Sequence, residues 1–284
     1  MFIKRNISML CAVACMMSAQ FSIPVLAAPA AVVAPAINAQ QKGAASIQTM
    51  SLLWMRSSAE YRALCYQGYN AAMNEIDKTL SAPKVKTPAK PFAIVLDCDE
   101  TVVDNTRAMA LAAVNGNTNY TSMWWRDTVA AGKATAMPGA VEFLQAVDKK
   151  GVEIFYVTNR YAPVNLEPTI KSLRAMNFPS VDKKHLLLMT NSGDKQIRFD
   201  AIAKDYDVIV YMGDNAGDLP LYTNGKKMAA RNAIIDKHKK AFGTKYIVFP
   251  NPAYGSWVGA MADKYNKLTP TEKDAVNKTI LVKP

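Results

Sequence analysis

The chain has 284 residues, half of them hydrophobic, and a formal net charge of +11. That length holds one sizeable core, or a core with a small accessory lobe, and no long low-complexity block argues against a globular protein. The basic residues are scattered in short pairs such as Lys149-Lys150 and Lys239-Lys240, which suits a solvated exterior attracting small anions and speaks against a nucleic acid polymer as partner.

In chain order, a targeting segment comes first. Lys4 and Arg5 form a positive n-region, residues 7–17 an apolar stretch, and Val25-Leu26-Ala27 a small-residue cleavage site. Residues 1–27 are therefore expected to be a signal peptide. The protein would be exported to the periplasm or outer membrane, or secreted, with its charge falling from +11 to +9 once Lys4 and Arg5 are removed. "AVAC", ending in Cys15, is a weak lipoprotein signal. Cleavage after Ala27 is preferred because the apolar run before Cys15 is short. No stretch is long and apolar enough for a transmembrane helix. Residues 28–45, rich in Ala and Pro, read as a flexible leader, and 46–284 as the main folded domain. The remaining Cys65 and Cys98 are too few for a disulfide framework, and Cys98 reads as a packing residue.

Apolar residues next recur at helical spacing from Ile47 to Leu80, with Ser57 and Ser58 before Glu60 resembling an internal cap that divides two helices. A proline-broken connector follows. From there strands are expected at 92–97, 152–158, 185–189, 208–212 and 246–249, with helices at 139–149, 165–176 and 195–204 between them. Continuous apolar strands alternating with helices predict an α/β fold, a doubly wound parallel sheet covered on both faces. Ligands in such sheets sit beyond the carboxyl ends of the strands.

The residues with chemistry fall at those ends. Asp97 and Asp99 follow the first strand in "IVLDCDETVVDN", and Thr158, Asn159 and Arg160 the second. Lys195 opens a helix after the third, and Asp214 and Asp218 follow the fourth in "GDNAGD". Carboxylates crowded into a poorly solvated site raise one another's pKa unless something neutralises them. A Mg²⁺ ion, which takes oxygen ligands from one or two carboxylates plus waters and phosphate, resolves the crowding, with Asp97 and Asp214 as natural ligands and a backbone carbonyl near Asp99. Glu100 reads as a first-turn helix residue and Asp104 as a surface one.

The pattern Asp97-x-Asp99-x-Thr101 resembles the haloacid dehalogenase (HAD) superfamily of phosphotransferases. "WMRSSAEYRALCYQGYNAA", "LDCDETVVDN", "MPGAVEFL", "FYVTNR", "GDNAGD" and "FPNPAYGSW" are together similar to the class C acid phosphatases, which include bacterial 5′-nucleotidase lipoproteins. The likeness spans nearly all of the mature chain. Departures at Cys98, Val103, Ala108, Ala216, Gly217 and Leu219, one of them where the family prefers a carboxylate, remove no charged catalytic group. The resemblance implies that 46–284 is a HAD-like phosphatase domain with a small helical cap lobe, from about 46–90 and 105–137. It also implies Mg²⁺-dependent hydrolysis of small phosphomonoesters at acid pH, nucleoside 5′-monophosphates preferred. Asp97 would be the nucleophile and Asp99 the general acid and base. Thr158 and Asn159 would donate to the phosphoryl oxygens and Lys195 would offset their charge. The metal set would be Asp97, Asp99, Asp214 and Asp218. Tyr254 and either Trp124 or Trp125 would sandwich a base. Arg160 would touch substrate or pair with a neighbouring acid.

No Arg-His-Gly, no Cys followed by Arg six residues on, no P-loop and no Gly-x-Ser-x-Gly occurs, which excludes other phosphatase and hydrolase types. The rivals are a broad-specificity phosphatase or phosphotransferase like the class B enzymes, and a catalytically silent surface binding protein. A lipid anchor and a homo-oligomer stay open.

Overall fold

The computed structural model describes residues 45–82, 90–116 and 120–282. The expected signal peptide, Cys15, the leader through residue 44 and most of the proline-broken connector lie outside them. The two N-terminal helices are α1 (Ala45–Ser57) and α2 (Ala59–Ser81), and Ser58 divides them by accepting the Tyr61 N–H at 3.1 Å. Then come β1 (Phe92–Leu96), β2 (Val103–Asp104), α3 (Thr106–Val114), α4 (Ser122–Ala131) and β3 (Thr135–Ala136). The alternating part comprises α5 (Ala140–Lys149), β4 (Glu153–Tyr161), α6 (Ala162–Ala175), β5 (Leu186–Met189), α7 (Gln196–Asp205) and β6 (Asp207–Gly213). It closes with α8 (Met228–Lys237), β7 (Tyr246–Val248), α9 (Ser256–Ala260) and α10 (Pro270–Leu281).

The main sheet has the order β5-β4-β1-β6-β7 and every pairing in it is parallel. The chain winds from β1 to one edge and returns across it to the other, so the switch in winding direction lies between β1 and β6. That is where an open α/β sheet leaves a crevice. Alternate strand residues serve opposite faces. Ile94, Leu96, Ile154 and Tyr156 join α2, α5 and α6 in the larger core. Ala93, Val95, Phe155 and Val157 meet Phe199 and Ile202 of α7 and the apolar side of α8 on the other. One extra residue in β6 opposite Ala93 and Ile94 lets Val210 pair with Ile94 after Val208 has paired with Ala93.

Away from the sheet, Leu52 of α1, Met109 and Ala113 of α3, Tyr120 and Trp124 form a separate apolar cluster that reaches Tyr254. A two-residue antiparallel ribbon, β2 with β3, closes this segment at its base. Helix α2 instead lies on the sheet, burying Cys65, Tyr69, Ala72 and Ile76 in the main core.

Three readings of local structure change. The second strand extends to Tyr161, so Thr158, Asn159 and Arg160 lie in its terminal stretch, where pairing with β5 becomes irregular. The next helix starts at Ala162, three residues before the expected start, with Pro163 in its first turn where a missing N–H is harmless. Glu100 is not helical: it sits in a turn with φ +54° and is fully buried. Cys65 and Cys98 are both buried free thiols.

Candidate active site

β1 delivers Asp97 to the crevice, its N–H held by the Met212 carbonyl of β6 at 2.9 Å. Lys195, the residue before α7, reaches Asp97 Oδ1 at 2.5 Å and Asp218 Oδ1 at 2.7 Å while only 3% exposed. Four groups from three distant segments thus meet: Asp97, Lys195, Asp218 and, beyond them, Asp214. A close approach makes this possible at Gly213, where a Cβ would stand 2.1 Å from the Asp218 Cβ.

Asp97, Asp214 and Asp218 can each offer one carboxylate oxygen, all within 4.8 Å of one another. Burial, then the neighbouring Asp218 and Asp99, push the Asp97 carboxyl up to about 7 despite Lys195. Burial, then Asp218 and Asp97, raise Asp214 well above the carboxylate range. Lys195 is disfavoured as a cation by its own burial, yet Asp218 and Asp97 outweigh this and hold its pKa above the usual value. One lysine does not balance three acids.

This donor set fits a hard divalent cation, which takes oxygen ligands and favours their ionised form. The hydrogen bonds divide the labour. Asp218 commits both oxygens, one to Lys195 and the other to the Asn215 N–H at 2.9 Å. Asp97 spends Oδ1 on Lys195, and Asp214 spends Oδ2 on the Asn251 amide at 2.7 Å. Among the described residues, each of these two keeps an oxygen without a hydrogen-bond partner. Asp218 thus also supports Lys195.

Asp99 has a different environment. Arg160 grips it through Nε to Oδ2 at 3.0 Å and Nη2 to Oδ1 at 2.6 Å, and the Asn105 amide adds a bond at 2.8 Å. Burial works to raise this carboxyl, but Arg160 and Asn105 prevail and hold it below its usual value. Its carboxylate is thus turned to Arg160 and Asn105, which answers where Arg160 goes: it pairs with an acid and also lines the cavity.

Thr158 and Asn159 line the same cavity. Arg198, which sequence reasoning passed over, fixes them. It donates to the Thr158 carbonyl at 2.7 Å and to Asn159 Oδ1 at 2.6 Å, while Asn159 Nδ2 donates to the Gly193 carbonyl at 2.8 Å. The signal available was its place one helical turn after Lys195.

The cavity has a volume of about 760 Å³ and runs from the carboxylates to an aromatic wall of Tyr120, Trp125 and Tyr254. Trp124 is not part of it: neighbours on a helix point about 100° apart, and Trp124 turns to Leu52 and Met109. Tyr120, another residue not foreseen, packs 4.6 Å from Trp124. Tyr254 lies 5.2 Å from Trp125, the rings tilted by 55°. Glu100, expected at a helix start, instead accepts the Asn105 N–H at 2.8 Å and the Tyr254 hydroxyl. Trp54 and Tyr61 pack edge to face at 5.6 Å. His185 is buried between Glu153 and Asp182 just before β5, at the amino end of the strands and away from this chemistry.

A cavity that places one carboxylate beside a lysine, hydrogen-bond donors and a candidate cation site suits transfer of a phosphoryl group. Comparison with known proteins agrees. The profile of the HAD superfamily, subfamily IIIB (Acid phosphatase), matches residues 14–257. The chain is similar to the class C acid phosphatase from Bacillus anthracis, with a TM-score of 0.77 and 36% identity over 84% of this chain and 97% of that one. The class C acid phosphatase of the same organism with tungstate bound gives a TM-score of 0.76 and 35% identity over the same shares.

Proposed function

Since the chain belongs to the acid phosphatases of HAD subfamily IIIB and is a phosphomonoester hydrolase, we propose that it is an exported, Mg²⁺-dependent enzyme acting on nucleoside 5′-monophosphates through an aspartyl-phosphate at Asp97. The observation that carries the reading is the state of Asp97: buried, one oxygen on Lys195, the other without a partner among the described residues, in a cavity whose far wall is aromatic.

Asp97 attacks phosphorus while Lys195, Thr158 and Asn159 hold the phosphoryl oxygens, and the ester oxygen leaves with a proton from Asp99. Water then attacks the aspartyl-phosphate and Asp99 takes its proton, which releases inorganic phosphate and restores the Asp97 carboxylate and the protonated Asp99. The grip of Arg160 on Asp99 favours the carboxylate, the form needed in the second half. The first half needs the protonated form, which supports an acid optimum. Asp97, Asp214 and the Asp99 carbonyl would hold Mg²⁺, which would supply charge neutralisation at the phosphoryl group. Trp125 and Tyr254 would take the base between them. Helices α1, α3 and α4 would form the cap lobe over the cavity. Export is supported by the leader sequence of residues 1–27, and among the described residues no helix is long and apolar enough to cross a membrane.

The test is turnover of 5′-AMP, 3′-AMP and a simple aryl phosphate by the purified mature protein, with chelator and with Mg²⁺ restored. Preference for 5′-AMP, loss in chelator and recovery with Mg²⁺ are expected, together with loss of turnover in Asp97→Asn. Equal turnover of all three substrates would favour the broad-specificity alternative. Indifference to chelator would remove the metal, and wild-type-like turnover by Asp97→Asn would remove the covalent route.

A further inference from the structure

Glu100 has no exposed surface, and its two oxygens serve two separate segments of the chain. Oε1 accepts the Asn105 N–H at 2.8 Å, and Asn105, itself 2% exposed, donates its side-chain amide to Asp99. Oε2 accepts the hydroxyl of Tyr254, 154 residues further on. From Tyr254 the connection continues: its N–H donates to Asn251 Oδ1 at 3.3 Å, and the Asn251 amide donates to Asp214 at 2.7 Å. A single chain of hydrogen bonds therefore runs from Asp99 to Asp214, with Glu100 and Tyr254 at its centre.

The two aromatic walls are not held alike. Tyr254 is fixed at its hydroxyl by Glu100, at its N–H by Asn251 and at its carbonyl by the Trp257 indole at 3.1 Å. Among the described residues the Trp125 indole makes no hydrogen bond. A flat ring inserted between them needs about 7 Å, twice an ordinary contact of ~3.5 Å, whereas the centroids are 5.2 Å apart. One wall must yield, and the bonding pattern leaves that to Trp125 on α4. A buried carboxyl in place of an apolar side chain is a destabilising choice unless its bonds define a geometry.

We propose that Glu100 is a positioning residue: it anchors the Tyr254 phenol, making that ring the stationary wall of the base subsite and fixing its distance from the loop that carries Asp97 and Asp99. The inference rests on the nucleotide reading above. It assigns selectivity for a ring-bearing leaving group to a residue that never touches substrate.

The experiment is a double-mutant cycle of Glu100→Gln and Tyr254→Phe, with Tyr254→Ala alongside, read as KM and kcat for 5′-AMP and for glycerol 2-phosphate, which carries no ring. Tyr254→Phe keeps the stacking face and removes only the tether. It should raise KM for 5′-AMP about tenfold more than KM for glycerol 2-phosphate, with most of the change in KM and not kcat. Glu100→Gln should do the same, and the double variant should be no worse than the worse single one, because both remove one bond. If Tyr254→Ala loses 5′-AMP selectively while Tyr254→Phe behaves as wild type, the subsite stands and the anchor is refuted. Multiplying effects in the double variant would refute it too. If Tyr254→Ala weakens both substrates equally, the nucleotide reading itself falls and the anchor with it.

Discussion

Stripped of metal, the protein should lose stability as pH rises through the range where most proteins are indifferent, and Asp97 contributes a share of that loss alongside Asp214 and Glu100. In the folded chain burial and neighbouring acids keep this carboxyl protonated up to about 7, against 3.8 as the usual value. Between those values the folded state binds a proton that the unfolded state has released, so stability falls with each step up in pH. At about 1.4 kcal/mol per pH unit, the loss amounts to on the order of 4 kcal/mol, all of it present above pH 7. Asp214 acts in the same direction, raised by burial, Asp218 and Asp97. Asp99 and Asp182 have lowered pKa values, so what they contribute is lost only when acid protonates them, below this window. The comparison to make is urea unfolding of wild type and Asp97→Asn in chelator from pH 5 to 8. The amide that replaces the carboxyl cannot ionise, so the variant should gain on wild type by roughly 3 kcal/mol between pH 5 and 7, after which the gap levels off. Mg²⁺ at about a hundred times its dissociation constant should restore about 2.7 kcal/mol to wild type and close most of the gap. A gap that is flat or shrinks with pH would mean that Lys195 keeps Asp97 ionised throughout, and the account of the cluster would be wrong.

Gly213→Ala should abolish most activity while leaving the sheet folded. Its Cβ would fall 2.1 Å from that of Asp218, and displacing Asp218 removes one of the two anions that hold Lys195; an unchanged kcat would refute this. Arg198→Met should lower kcat for every phosphoester alike, by about tenfold or more if losing its charged hydrogen bonds frees the Asn159 amide, and a substrate-dependent loss would contradict a role confined to the phosphoryl end. Phe249→Ala should cost about 3–5 kcal/mol in chemical unfolding, because Phe249 is 1% exposed and packs 4.8 Å from the ring of Tyr69 beside Gly68; a loss below about 1 kcal/mol would show that α2 does not depend on this contact.

The sheet was legible because each strand is a continuous apolar run between helices, a pattern with few alternative readings in a chain of this length. The same pattern located the acids: Asp97 and Asp214 are far apart in the chain, yet strand ends in a parallel sheet share one edge. Lys195 could be placed for the same reason. Ser58 announced the break between α1 and α2 because a helix cap is a local event, written in a few neighbouring residues. The ribbon of β2 and β3 was not legible, since two-residue strands leave no periodicity. Nor could sequence distinguish Trp124 from Trp125, adjacent residues whose difference is only which side of α4 each one faces.

Glu100 shows what kind of information local reading lacks. In the text it is one more acid after a strand, and the ordinary place for such a residue is a solvated helix start. Its actual position follows from a bond to Tyr254, which none of its neighbours in the chain encodes. Arg160 is the same case: its neighbours in sequence are Asn159 and Tyr161, while its energetic partner is Asp99, 61 positions earlier. Charges near a strand end can thus be found from sequence, but their protonation states cannot, because those depend on which distant side chain arrives and how much water it excludes. Asp97 and Asp99 are two residues apart and alike in chemistry, yet the fold raises one and lowers the other. Lys195 shares its charge with Asp218, whereas Arg160 is committed to Asp99 in two parallel hydrogen bonds. That division of partners, rather than the spacing of the acids, gives the two carboxyls opposite shifts.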